Sequence, residues 1–223
     1  MTRSKFFAEV LGTYCLVFAG TGAVVVNQVT GGAVTALGIS LVFGLIVLAM
    51  IYTIGHISGA HMNPAVTLGF YAAGRHKAAD IAPYVAAQLV GAVAASATLK
   101  IMFLGQPNTL GMTLPAHGVL QSFVMELILS FMLMFSIMGV ATDDRAEGAM
   151  AGIAIGAVIA LEAAFGGPVS GASMNPARSF APALLCWDFT SNWIYWIAPV
   201  LGTVLGARAY QFIAPAPETG LPD

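Results

Sequence analysis

Charge is what this sequence has least of. Asp, Glu, Lys and Arg make up 8% of its 223 residues, against roughly a quarter in soluble domains. A water-facing surface cannot be assembled from so few, so a soluble globular fold is excluded. The eight Lys and Arg residues form no run, which removes the electrostatic footprint of a nucleic-acid binder. Cysteine is nearly missing too: Cys15 and Cys186 sit in apolar surroundings and give neither a disulfide framework nor metal-ligand spacing. No nucleotide-binding motif and no catalytic triad is present, so no catalytic residue, cofactor or metal is expected.

What is there is apolar: 58% of residues are hydrophobic, and each bilayer crossing needs about 20 mostly apolar residues. Stretches at about 6–28, 34–55, 81–104, 119–141, 149–166 and 192–213 suit six spans, with two apolar segments too short to cross at about 63–73 and 175–186. Arg3 and Lys5 before the first stretch imitate a signal peptide, yet the apolar run continues to about Val26 and more spans follow, so a retained span is expected. The expected fold is an all-α membrane protein, one domain over 1–223, with six transmembrane helices plus two half-helices.

The basic residues sort by connection. Arg3 and Lys5 precede the first span, Arg75 and Lys77 lie between the second and third, Arg145 between the fourth and fifth, and Arg208 near the end of the sixth. The connection at 105–118 has neither Lys nor Arg. The positive-inside rule then puts both termini in the cytoplasm of a multi-pass protein. Lys100, near the outer end of the third span, can snorkel to the interface.

The chain also repeats itself. Ser58-Gly59-Ala60-His61-Met62-Asn63-Pro64-Ala65 returns 112 residues later as Ser170-Gly171-Ala172-Ser173-Met174-Asn175-Pro176-Ala177, identical at seven of eight positions. Glu9 with Phe18 matches Glu126 with Phe135, and Gly91 matches Gly202. Each half, about 1–110 and 111–223, holds three spans and a short segment. Three crossings are an odd number, so the second half is inverted. The short segments therefore enter from opposite faces and can meet near the bilayer centre.

Non-helical backbone at membrane depth survives only buried in protein or lining a wet cavity. Gly59 and Gly171 supply the backbone freedom such loops need, and their carbonyls offer acceptors to a passing solute. Asn-Pro-Ala reads as a helix start, with Asn63 and Asn175 as N-caps and Pro64 and Pro176 at the first helical position. Two helix N-termini then point at the pore centre, opposing cations, while the asparagine amides offer free donors to a water or hydroxyl oxygen. Arg178, three residues after Asn175, is a guanidinium deep in an apolar protein, which places it at a water-filled constriction.

The run from Gly55 to Thr67 and the run from Ser170 to Ser179 resemble the paired signature of the aquaporin, or major intrinsic protein, family, over nearly the whole chain. The resemblance implies a right-handed aquaporin-like bundle in an inverted 3+3 repeat, assembled as a homotetramer with one pore per subunit, in the plasma or inner membrane. Its motif positions fall on Asn63, Pro64, Ala65, Asn175, Pro176 and Ala177, and its selectivity filter on Phe43, Ala163, Ala172 and Arg178. By the same resemblance Glu9 and Glu126 accept hydrogen bonds from the two loops. Strict water channels of the family generally carry a histidine where Ala163 stands, so the ring should be wider. Ser179 replaces the aspartate usual in glycerol facilitators, and Tyr195-Trp196 resembles the water-channel pattern. The run from Phe165 to Gly171 is similar to nodulin-like members. The implied partners are water, glycerol, ammonia, urea or metalloid hydroxides, and the lipid bilayer.

Glu162 adjoins Ala163 and either faces a helix neighbour or modifies the outer pore. His56 and His61, five apart in a stretch expected to be non-helical, fit no metal spacing and read as loop hydrogen-bonders, with a cytoplasmic pH gate as the alternative. The rival from another class is a secondary transporter, since inverted repeats and broken helices occur there too. No carboxylate in the Asn-Pro-Ala segments offers it a coupling-ion site.

Overall fold

Eight α-helices hold most of the described residues in the computed structural model, which describes residues 1–143, 146 and 148–214. They are α1 (Arg3–Val29), α2 (Thr35–Ser58), α3 (Pro64–Ala72), α4 (Ala78–Met102), α5 (Val119–Ala141), α6 (Ala151–Ser170), α7 (Pro176–Cys186) and α8 (Ile194–Ile213). A single 3-10 turn, Gly148–Met150, leads into α6. Among the described residues there is no strand, and the arrangement is the inverted repeat expected: three long helices and one short helix, twice. Arg145 lies outside the described residues.

Length and hydropathy qualify α1, α2, α4, α5 and the segment Gly148–Ser170 as membrane spans. The sixth long helix, α8, is 20 residues long and is more polar, carrying Thr203, Arg208 and Gln211. Thr203 is buried and donates to Ala65 O of α3 at 2.8 Å, and Gln211 donates to Ala73 O at the end of α3 at 2.9 Å. Arg208 is exposed near the helix end, while α8 as a whole packs along α5 and α3. Large apolar side chains point outward along the long helices, among them Leu41, Leu45, Leu120, Val124, Leu161 and Leu205. That is the surface a bilayer solvates and water does not.

Helices approach so closely that side chains must vanish at the crossings. A Cβ on Gly91 of α4 would lie 2.2 Å from the Val10 carbonyl of α1, and one on Gly202 of α8 would lie 2.3 Å from the Leu127 carbonyl of α5. The halves meet where α2 crosses α6: a Cβ on Gly44 would lie 2.4 Å from Gly156 O, and one on Gly156 would lie 2.7 Å from Gly44 O. Small residues at such contacts let backbones pack directly, the main attraction available where lipid is as apolar as the protein.

The half-helices exchange partners between repeats: α3 packs on α8, and α7 on α4. Lys100 closes the second contact by donating to Leu185 O at the C-terminal end of α7, at 2.6 Å. A cation there satisfies an orphan carbonyl and the helix dipole. One local expectation is corrected. Helix α2 continues to Ser58, so His56 is helical, and its side chain is exposed instead of bonding within the loop.

Candidate pore

Each short helix is preceded by a loop with three residues in the left-handed region. Along the first, φ is 89° at Gly59, 48° at Ala60 and 49° at Met62; along the second, 87° at Gly171, 41° at Ala172 and 53° at Met174. Glycine takes this region freely, whereas alanine and methionine do so at about 1–3 kcal/mol each. The surroundings hold them there. Glu9, fully buried, accepts at Oε1 from Ser58 Oγ (2.7 Å) and His61 N (2.9 Å). Its Oε2 accepts from Met62 N (2.7 Å) and Gln88 Nε2 (2.8 Å).

Glu126 repeats the scheme with one donor fewer. Its Oε1 accepts from Ser170 Oγ (2.7 Å) and Ser173 N (2.8 Å), and its Oε2 from Met174 N (2.8 Å). The repeat register puts Pro199 where the first half has Gln88. Hydroxyls of Tyr84 and Tyr195 donate to Ser58 O and Ser170 O, each at 2.7 Å, and fix the start of each loop.

The loops end at the two asparagines, and the caps are formed as their sequence implies. Asn63 Oδ1 accepts from Ala65 N at 2.9 Å; Asn175 Oδ1 accepts from Ala177 N at 3.0 Å and Arg178 N at 3.3 Å. Their amide nitrogens cross between repeats. Asn63 Nδ2 donates to Met174 O at 2.7 Å, and Asn175 Nδ2 donates to Met62 O at 2.9 Å. Each Nδ2 therefore spends one of its two hydrogens on the opposite loop and keeps one. The sequence reading had both free; pairing across the repeat, invisible in either motif alone, takes the difference.

One cavity runs along both loops. Its wall includes Gly59 to Asn63, Ala172 to Asn175, Phe43, Ala163 and Arg178, so six of the residues singled out from the sequence, Phe43, Asn63, Ala163, Ala172, Asn175 and Arg178, line a single cavity. Ile155, Ile159 and Ala163 line it from one stripe of α6, four residues apart as one helix face requires. Arg178 is 3% exposed, its guanidinium carbon 5.2 Å from the Phe43 ring centroid, within cation–π reach. Its Nη1 donates to Gly111 O at 2.6 Å.

That last contact could not be read from the sequence. Gly111 belongs to the connection between the repeats and has φ of 69°, and a Cβ there would lie 2.7 Å from Thr21 Cβ. The same connection reaches α7 again through Thr113 Oγ1, which donates to Ser179 Oγ, next to Arg178, at 2.8 Å. Glu162, left open between two environments, is buried and absent from the cavity wall. Neither of its carboxyl oxygens has a hydrogen-bond partner among the described residues. His61 does line the cavity, with Nδ1 3.1 Å from Thr67 Oγ1. Among the described residues no cluster of three potential metal ligands exists.

Fold and site together define a helical membrane channel built on an inverted repeat. A profile of the major intrinsic protein family matches residues 2–210. The maize protein named Aquaporin NIP1-1 is 52% identical over 209 residues, covering 94% of this chain and 74% of its own. Soybean Nodulin-26 is 47% identical, covering 94% of this chain and 77% of its own. The aquaglyceroporin of Plasmodium falciparum superposes with a TM-score of 0.83 at 27% identity, covering 94% of this chain and 96% of its own. The chain belongs to the major intrinsic protein family, whose members are channels and not enzymes.

Proposed function

We propose that the protein conducts water and small uncharged solutes passively across a membrane and rejects ions and protons. The observation that carries this reading is the meeting of two capped helix N-termini, at Asn63 and Asn175, on one cavity. Each amide retains one hydrogen for a solute oxygen, and the loop carbonyls offer acceptors beside it. Positive dipole ends at the centre and the buried Arg178 oppose a cation at two successive points. A neutral hydroxyl compound meets donors and acceptors and no charge barrier.

The outer ring of Phe43, Ala163, Ala172 and Arg178 is the selectivity filter on this reading. Alanine at 163 leaves that side small and apolar, so glycerol passes beside water; the names of the aquaglyceroporin and the nodulin-type relatives favour a broad channel. The motif residues Pro64, Ala65, Pro176 and Ala177 build the two helix starts. Both termini face the cytoplasm of a plasma or inner membrane, supported by the distribution of Lys and Arg. A homotetramer, each subunit with its own pore, accords with the family.

Stopped-flow light scattering on proteoliposomes tests the filter. With Ala163→His, glycerol permeability is expected to fall at least about tenfold, an added barrier of about 1.4 kcal/mol, while water permeability persists. Unchanged glycerol flux in that variant removes Ala163 from the filter; no flux of either solute through folded wild-type protein overturns the channel itself. A secondary transporter would instead show flux that depends on a sodium or proton gradient.

A further inference from the structure

His61 has a neighbour that no local motif announces. Fifteen residues on, in the connection between α3 and α4, His76 places its ring 5.0 Å from the His61 ring, centroid to centroid. Tyr84 flanks both rings, at 5.0 Å from His61 and 4.6 Å from His76, and Phe70 stacks on His61 at 4.6 Å. The Nε2 of His76 is buried and has no hydrogen-bond partner among the described residues.

The tautomer of His61 follows from the bonds around it. Glu9 can only accept, so Gln88 must present its Nε2 there, and the same nitrogen reaches Thr67 Oγ1 at 3.1 Å. Thr67 Oγ1 spends its one hydrogen on Asn63 O, at 3.1 Å. Toward His61 it can therefore only accept, so His61 carries its proton on Nδ1. The Nε2 lone pair is left open. A chain running Glu9, Gln88, Thr67, His61 thus orients an imidazole with its basic nitrogen free, as supporting hydrogen bonds orient metal-bound histidines.

We propose that His61 and His76 together form a binding site for a borderline divalent transition metal ion, through their Nε2 atoms, at the cytoplasmic mouth of the pore. Two imidazoles sharing one tetrahedral ion at roughly 2.0–2.1 Å place their ring centres about 5 Å apart, which matches the observed spacing. Imidazole suits Zn2+, Cu2+ and Ni2+. Two protein ligands leave the remaining positions to water, which the cavity beside His61 supplies, so binding is reversible and the ion obstructs the water path. Burial, the largest influence, holds His76 below the ordinary histidine range and keeps its lone pair available at neutral pH. The charged groups facing the pair are Lys5 and Glu9 from α1 and Asp80 from α4, with Asp80 paired to the Met1 ammonium. The two carboxylates favour a cation there and Lys5 opposes it.

Obstruction of flux rests on the channel reading of this cavity, whereas metal binding does not. Both are measured on full-length protein purified without a polyhistidine tag. Zn2+ is expected to remove most of the wild-type water permeability of proteoliposomes, and His76→Phe to keep the metal-free permeability and lose the inhibition. Cu2+ is expected to give an electron paramagnetic resonance spectrum with two imidazole nitrogens in the wild type and one in the variant. Equal inhibition of both proteins, or Cu2+ without imidazole nitrogens in the wild type, overturns the site. The wild-type spectrum decides even if His76→Phe does not fold. Two-nitrogen copper in a protein that passes no water leaves the site standing and overturns the channel.

Discussion

Replacing Glu126 by Gln is expected to lower stability by about 3 kcal/mol and to abolish most of the flux. An amide has one oxygen where the carboxylate has two, and three donors converge on that carboxylate. Ser170 can turn its hydroxyl, but the backbone N–H of Ser173 or Met174 then faces an NH2 group. An orphaned buried donor costs about 1–3 kcal/mol, and the remaining bonds lose their charge assistance. The left-handed residues Ala172 and Met174 depend on those bonds to stay in place, so the loop relaxes and its carbonyls leave the pore wall. Thermal unfolding in detergent and stopped-flow permeability measure the two effects. An unshifted melting temperature with wild-type flux would show that the loop holds itself.

The second large effect is steric. Gly202→Val and Gly91→Val are each expected to cost more than the about 1–3 kcal/mol typical of overpacked cores and to reduce the yield of monodisperse protein sharply. At both sites the atom in the way is a backbone carbonyl of the neighbouring helix, Leu127 O or Val10 O. A side chain could rotate aside; a helix backbone must translate, and α4 and α8 also carry the half-helices α7 and α3. Gly74→Ala is the contrast, because nothing lies within 4 Å of its added Cβ; its φ of 72° limits the cost to local strain. Size-exclusion profiles of the three variants compare them directly. Wild-type behaviour of Gly202→Val would mean that α5 and α8 are farther apart than described.

The long helices and both half-helices were legible because a bilayer imposes one rule on every crossing, and the repeated Ser-Gly-Ala-x-Met-Asn-Pro-Ala names its own loops. The caps at Asn63 and Asn175 were local chemistry, readable from one motif. What escaped needs two distant segments at once. The cross-repeat bonds from Asn63 to Met174 and from Asn175 to Met62 span more than a hundred residues. Gly111 meets Arg178 across 67 positions, from a connection whose only sequence signal was its lack of Lys and Arg. Left-handed Ala60 and Met62 were hidden because propensity assigns that region to glycine, and only the buried carboxylates overrule it. Glu162 showed a charged residue beside Ala163, but a helix turn of about 100° per residue decides wall or interior, and one residue from Ala163 is enough to leave the cavity wall.

The reciprocal asparagine bonds carry a consequence for heat. Since each half-helix is tied at its tip to the loop of the other repeat, no rocking of one repeat against the other can occur without breaking both ties. Nothing in the centre has to move for a molecule to go by. Permeation of water then has only the rearrangement of hydrogen bonds along the carbonyls as its barrier, so its rate should rise with temperature about as gently as the self-diffusion of liquid water. A steep Arrhenius slope, as a cycle of large conformational steps would give, is the signature this architecture forbids.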